Sequence, residues 1–94
     1  MTAAETYHTA MLFDQSLTIG QRVRARWTNR GRAFHAIGEV IKINQNSLQV
    51  RLQRSIYTYR DGTWRQTYPI GYVVHIPRLS SQYYSAGNCA EPIE

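Results

Sequence analysis

With 94 residues, the chain is long enough for one small domain with a modest hydrophobic core and too short to hold a second. Its apolar runs are far shorter than the roughly 20 residues that cross a bilayer, and its N-terminus lacks a signal-peptide pattern, so we expect a cytoplasmic protein. Cys89 is the single cysteine, which excludes an intramolecular disulfide and a metal site built on several thiolates.

The positive charge is concentrated in the middle of the chain. The formal net charge is +5, but between Ile19 and Arg78 eleven basic residues, ten of them Arg, stand against only Glu39 and Asp61. Arginine suits bidentate contacts to phosphate or carboxylate groups and stacking on flat rings. Two interpretations are open: a solvated face that keeps the protein soluble, or a surface for an anionic partner, with nucleic acid as the first candidate.

Residues 1 to 17 are interpreted as an N-terminal segment outside the main domain. Thr2 and Glu5 have the spacing of a capping box, which could start a short helix. A frayed arm is the equal alternative.

Three strands are predicted next, because apolar and polar residues alternate between segments with turn chemistry. In QRVRARWT, residues 21 to 28, alternation places three arginines together in solvent: Arg22, Arg24 and Arg26. After a turn at residues 29 to 32, in which Gly31 can adopt a positive φ, the second strand is FHAIGEVIKI, residues 34 to 43, where Gly38 indicates a bulge or bend. A loop at residues 44 to 47 leads to the third strand, with three side chains inward: Leu48, Val50 and Leu52.

Asp61-Gly62 predicts a tight type I′ hairpin turn in SIYTYRDGTWRQTY, residues 55 to 68. That turn pairs Tyr59 with Trp64 and Tyr57 with Gln66. Because directly opposite side chains share a face, it gathers four rings into one cluster: Tyr57, Tyr59, Trp64 and Tyr68.

The sequence leaves open whether this cluster faces solvent or the core. Strict alternation from Leu48 puts the rings on the outer face and the side chain of Arg54 on the inner face. A bulge between Gln53 and Ser55 would instead put the rings on the inner face and Arg54 on the outer face. Exposed rings would form a platform on which single-stranded nucleic acid stacks, edged by Arg51, Arg60 and Arg65. Buried rings would close the core.

The remaining segments complete an all-β domain. A turn at residues 69 to 71 precedes a last short strand at residues 72 to 77, and residues 80 to 94, rich in Ser, Gly and Asn, are interpreted as a flexible tail. About five short strands within residues 18 to 79 predict a small curled sheet closed into a barrel.

The segments GQRVRARW (20 to 27), Phe34 and GEVIKI (38 to 43) resemble the first two strands of Tudor and related SH3-like barrels. The match covers residues 20 to 52 and implies a five-stranded SH3-like barrel. Bacterial barrels of this kind include KOW-type modules that touch RNA and docking subunits of larger assemblies, so the resemblance implies a binding module.

Tudor domains that read methylated Arg or Lys use an aromatic cage. At the matching positions Trp27 and Phe34 would supply two walls, but Leu52 and Gln53 stand where further walls usually follow. We therefore expect Trp27 and Phe34 to be core residues.

Catalysis is not expected. His8, His35 and His75 have no partners at metal-ligand spacing, and Glu39 and Asp61 are the only carboxylates of the predicted barrel. The opening strand is also similar to that of type II plasmid dihydrofolate reductases, but VVHIPR (73 to 78) lacks the Val-Gln-Ile-Tyr stretch through which that family works. No metal and no cofactor is expected.

The sequence therefore predicts a non-catalytic binding module whose first partner is nucleic acid, RNA or DNA. The predicted contacts are Arg22, Arg24, Arg26, Arg30, Arg32, Arg51, Arg60 and Arg65, with Tyr57, Tyr59, Trp64 and Tyr68 as candidate stacking residues. The alternative is a protein-protein interaction subunit that docks on an acidic partner, with the Tyr-rich hairpin as its hot spot.

Overall fold

The structure, a computed structural model, describes residues 17–58, 64–65 and 68–93, with the backbone alone for 55–58 and 64–65. These residues form six antiparallel strands: β1 (Arg22–Asn29), β2 (Arg32–Ile43), β3 (Ser47–Thr58), β4 (Trp64–Arg65), β5 (Val73–Pro77) and β6 (Cys89–Pro92). In the described ranges there is no helix, and hence none that could span a membrane. The predicted all-β class is confirmed.

The strands form one sheet that curls on itself. The order across the sheet is β4, β3, β2, β1, β6, and β5 also pairs with β3. Cα atoms of β5 approach those of β1 and of β6 within 8 Å, so the two ends of the sheet come together. This half-barrel is compatible with a small SH3-like barrel.

Strand alternation determines which side chains enter the core. In β1, Val23, Ala25 and Trp27 are buried, whereas Arg22 and Arg24, which alternate with them, are exposed. The same alternation in the other strands gives one core cluster: Leu17, Val23, Ala25, Trp27, Phe34, Ala36, Val40, Leu48, Val50, Leu52, Val74, Ile76 and Ala90. The inward positions predicted for the first and third strands are confirmed.

The turn between β1 and β2 has the predicted chemistry. Arg30 has a φ of 52° and Gly31 a φ of 75°. Glycine adopts such a positive φ without steric cost, which explains why the turn closes at this position.

A β-bulge in β3 decides the face on which Arg54 lies. Ile37 pairs with Arg54 but Gly38 pairs with Leu52, so Gln53 is the extra residue. Leu52 is therefore buried while Arg54 is exposed, and of the two registers that the sequence leaves open, the bulged one is observed. Gly38 permits this close approach, because a Cβ there would lie 2.7 Å from the backbone oxygen of Arg51.

The prediction of a flexible tail is wrong for residues 80–93. The strand β6 pairs with β1 over the stretch from Val23 to Arg26. Ala90 packs into the core, and Cys89 forms a second small cluster with Tyr84 and Leu79. This segment covers the edge of β1, whose backbone groups would otherwise be unpaired. A four-residue strand is too short to show periodicity in a Ser- and Gly-rich sequence.

The predicted register of the aromatic hairpin is also wrong. Tyr57 pairs with Arg65 and Thr58 with Trp64, one residue away from the register that a two-residue turn at Asp61-Gly62 would impose. The four-ring cluster was predicted from that register, so its basis is removed. Residues 1–16 with their predicted arm, residues 59–63, and the side chains of Tyr57 and Trp64 lie outside the described part of the chain.

Candidate functional site

Exposed arginines lie on the outer face of the sheet, across β1, β2 and β3. Two rows of directly opposed residues cross these strands in that order: Arg22, Glu39 and Arg51 in one row, and Arg24, Ile37 and Arg54 in the next. Directly opposed residues share a face of the sheet. All four arginines are exposed, and we call Arg22, Arg24, Arg51 and Arg54 the arginine face.

The guanidinium groups of the arginine face are available to a ligand. None of the four forms a side-chain hydrogen bond or an ion pair with the residues that the structure describes. Glu39 lies between Arg22 and Arg51 in its row, with no N···O contact within 4 Å to either. From strand geometry, the Cα atoms of Arg22 and Arg24 lie about 7 Å apart along β1, and the arginines of β1 lie about 10 Å from those of β3, across β2.

Arg26, the third arginine of β1, does not project freely into solvent, which corrects the prediction for this residue. Its Nη1 atom lies 3.0 Å from Oε1 of Glu91, and the two side chains are 24% and 15% exposed. The pairing of β1 with β6 brings Glu91 to this position. Arg26 therefore anchors the C-terminal strand, and its charge is largely compensated.

His35 borders the arginine face, directly opposite Arg26 in the β1–β2 ladder. Its pKa is lowered, first because the surrounding chain excludes water from part of the ring, and then because the charges of Arg24 and Arg26 oppose protonation. The imidazole is therefore mainly neutral at pH 7.

The other predicted arginines do not join the arginine face. Arg30 and Arg32 are exposed at the turn between β1 and β2, beyond the end of the β1–β6 pairing. Arg60 and the side chain of Arg65 lie outside the described residues. The structure therefore brings together three of the eight predicted arginines and leaves the described remainder apart.

Arg54 is a member of the arginine face that sequence reasoning omitted. The sequence leaves two registers open, one with Arg54 inward and one with a bulge that turns it outward, and the observed bulge at Gln53 turns it outward. The arginine itself is the signal for the outward register, because an unpaired guanidinium is almost never placed in a small core, but Arg54 is not among the predicted contacts.

Tyr68, the one predicted stacking residue whose side chain is described, packs against the core. Its ring centroid lies 5.4 Å from that of Trp27 and 5.2 Å from that of Phe34, edge-on in both cases. Nδ2 of Asn29 donates a hydrogen bond to its hydroxyl oxygen at 3.1 Å. Trp27 and Phe34 stack on each other at 5.7 Å and are buried, which confirms the expectation that they are core residues. Tyr68 is half-buried by this packing and is not part of an exposed platform.

The described part of the chain offers little for metal or thiol chemistry. Within it, no three His, Cys, Asp or Glu side chains are placed to hold a metal ion together. Burial raises the pKa of the Cys89 thiol; the charge and hydrogen bond of Arg26 oppose this rise, and Glu91 adds to it. A buried, protonated thiol is a poor nucleophile.

No protein-family model matches the chain, and neither a curated protein nor a solved structure shows significant similarity to it. The chemistry of the site is therefore inferred from the residues themselves.

Proposed function

We propose that the protein is a non-catalytic binding module that holds nucleic acid, RNA or DNA, against the arginine face. The observation that carries this proposal is the pair of cross-strand rows that present four exposed guanidinium groups with no partner among the described residues. A folded domain gains little from such a cluster internally, because like charges repel one another. An external polyanion would relieve that repulsion.

The geometry of the arginine face suits a chain of phosphates. Arg22 and Arg24, two residues apart on β1, are separated by about 7 Å, similar to the spacing of neighbouring phosphates along a nucleic acid strand. Guanidinium groups bind phosphate oxygens in a bidentate manner. Such contacts fix position without reading sequence, so the proposed binding is sequence-tolerant.

The charge around the face supports the same proposal. Residues 22–54 contain eight basic side chains and one carboxylate, Glu39. A field of one sign attracts polyanions over distances up to the Debye length, about 8 Å at physiological salt. KOW-type SH3-like barrels, which the sequence resembles over residues 20 to 52, also touch RNA. A cytoplasmic location is part of the proposal, since the one cysteine is a buried free thiol.

A second candidate function is docking on an acidic protein. It is favoured by large apolar side chains that the structure leaves exposed: Ile19 (66%), Ile70 (70%), Tyr72 (47%) and Tyr83 (71%). Tyrosine and arginine dominate the hot spots of protein interfaces. An acidic protein releases few condensed counterions, so its binding depends less on salt than that of a polyphosphate.

A salt titration with a labelled single-stranded oligonucleotide tests the proposal and separates the two candidates. Binding is followed by fluorescence anisotropy between about 50 and about 200 mM salt. The variant Arg24→Gln/Arg54→Gln removes two charges from the arginine face, and we expect weaker binding and a slope of log K against log[salt] that is shallower by about 1.4.

The matched control, Arg30→Asn/Arg32→Gln, removes the same net charge at the turn, where Asn tolerates the positive φ of Arg30. We expect a smaller loss of affinity in this control. Equal losses in both variants would show that net charge, and not the arginine face, governs binding. No binding at low salt would reject the proposal in favour of an acidic protein partner.

A further inference from the structure

A shallow groove runs along the seam where β5 faces the C-terminal end of β1. Two depressions form it, and both are lined by Thr28 of β1 and His75 of β5. One depression continues to Tyr72 and the other to Tyr83. We call this continuous surface the seam groove.

An exposed aromatic ring stands toward each end of the seam groove. Tyr72 is 47% exposed, and its ring packs against the ring of Tyr68, at a centroid distance of 5.1 Å. Tyr83 is 71% exposed, and its backbone N–H donates to Oγ of Ser81 at 3.1 Å, which fixes the loop that carries it. Both rings therefore offer a face to a ligand from positions that are held by the fold.

The seam groove also contains a hydrogen-bond donor that lacks an acceptor. Trp27 lines it next to Tyr72, is only 7% exposed, and its indole N–H has no partner among the described residues. A buried indole N–H usually has an acceptor, because an unmet donor costs about 1 to 3 kcal/mol. This nitrogen is covered in the structure, so a ligand with a carbonyl oxygen would supply the acceptor after the side chains over it have moved aside.

Aromatic and apolar side chains line the seam groove together with polar ones such as Asn46, Ser80 and Gln82. Of the described residues that line it, none is Asp or Glu, so nothing in it repels an anion. The amide of Asn88 is already used: its Oδ1 accepts from the backbone N–H of Thr28, and its Nδ2 donates to Oγ of Ser85. The side chains of Gln82 and His75 are exposed and line the groove, so both can contact a ligand.

The seam groove is continuous with the arginine face. In the β3–β5 ladder Arg51 is directly opposite Val73, and His75 is the next residue on the same face of β5. Diagonal neighbours of this kind lie about 7 to 8 Å apart. A single-stranded nucleic acid whose phosphates contact Arg51 can therefore place its next nucleotide at His75.

We propose that the seam groove binds unpaired bases of single-stranded nucleic acid, and this inference rests on the function proposed above. Every base has a flat face that can stack on Tyr72 or Tyr83. Pyrimidine bases also carry carbonyl oxygens that can accept from the indole of Trp27. The bases of a duplex are stacked on one another and cannot enter, so the groove selects single strands.

The test compares oligothymidylate with a duplex of the same length by anisotropy, using Tyr83→Ala and the matched control Ile19→Ala. Ile19 is similarly exposed but does not line the groove. Loss of one stacked base predicts a dissociation constant for oligothymidylate that is about 5- to 150-fold higher in Tyr83→Ala, with duplex binding changed by less than about twofold. Ile19→Ala and Tyr83→Phe should bind both nucleic acids like the unmodified protein.

A second readout follows the indole N–H of Trp27 by NMR, with its signal assigned by comparison with Trp64→Phe. We expect a downfield shift when oligothymidylate is added and none with the duplex. The proposal for the seam groove would be wrong if both nucleic acids bind but Tyr83→Ala keeps its affinity and the indole signal does not move. The proposal that the arginine face binds nucleic acid would still stand. Absence of all binding at low salt would overturn both proposals, and a groove filled by a peptide would then be the explanation to pursue.

Discussion

Arg26 and Glu91 tie the C-terminal strand to the first strand of the barrel, with Nη1 of the arginine 3.0 Å from Oε1 of the glutamate. The pair is mostly shielded from water, so it is screened less than a surface ion pair. It has two consequences: β6 is held on the edge of β1, and Arg26, the third arginine of β1, is withdrawn from the arginine face.

Glu91→Gln should lower the free energy of unfolding by about 1 to 3 kcal/mol, between the values typical of exposed and of buried ion pairs. Urea denaturation at neutral pH measures this change in the free energy of unfolding. Glu39→Gln is the control, because Glu39 has no N···O contact within 4 Å to Arg22 or Arg51, and its effect should stay below about 1 kcal/mol. Equal losses in the two variants would mean that the Arg26–Glu91 pair does not stabilise the fold.

Gly38→Ala should destabilise the protein by about 1 to 3 kcal/mol, because the added methyl group would lie 2.7 Å from the backbone oxygen of Arg51 and 2.5 Å from Cγ1 of Val50. Gly87→Ala is the matched control. Its methyl group would lie at an ordinary 3.7 Å from Cγ2 of Thr28, so stability should change by less than about 1 kcal/mol. Thermal unfolding of the two variants side by side measures the two changes in stability. A Gly38→Ala variant as stable as the unmodified protein would mean that β2 and β3 do not approach closely at Gly38, and hence that the bulge lies elsewhere.

The sequence predicts the fold better than it predicts the site, and the physical reasons differ from place to place. In β1 every second residue is apolar, so the predicted strand, its buried face and its exposed arginines Arg22 and Arg24 are all observed. The strand β6 has no such pattern, because Cys89 and Ala90 are both buried, each in a different cluster on opposite sides of the sheet.

The errors in the site follow from long-range pairing. The ion pair of Arg26 depends on Glu91, which is 65 residues away along the chain and is brought close only by the β1–β6 ladder. The exposure of Arg54 depends on one extra residue in β3, and a shift of one residue reverses the face of everything that follows. Local alternation contains neither piece of information.

Tyr68→Ala should lower the free energy of unfolding by about 2 to 4 kcal/mol, since it removes a half-buried ring that packs edge-on against Trp27 and Phe34. Tyr68→Phe keeps the ring and loses only the hydrogen bond from Asn29, so its cost should be about 1 kcal/mol. Chemical denaturation measures both. A loss of oligonucleotide binding in folded Tyr68→Phe would instead assign the hydroxyl to the binding surface.

Stability should fall below about pH 6.5 through His35. Its pKa is lowered in the folded protein, so as the pH falls the unfolded chain takes up the proton first, and stability present above pH 6.5 is lost as the pH approaches the folded-state pKa. Urea unfolding across this range should show a steeper decline for the unmodified protein than for His35→Gln. Identical pH profiles would show that His35 does not cause the loss of stability.

Amide NMR with a short single-stranded oligonucleotide, added at low and then at moderate salt, tests whether the arginine face binds nucleic acid. We expect salt-sensitive shifts centred on Arg22, Arg24, Arg51 and Arg54, with smaller shifts at Arg30 and Arg32. Shifts confined to the turn between β1 and β2, or none at low salt, would contradict the assignment of the arginine face as a nucleic-acid surface.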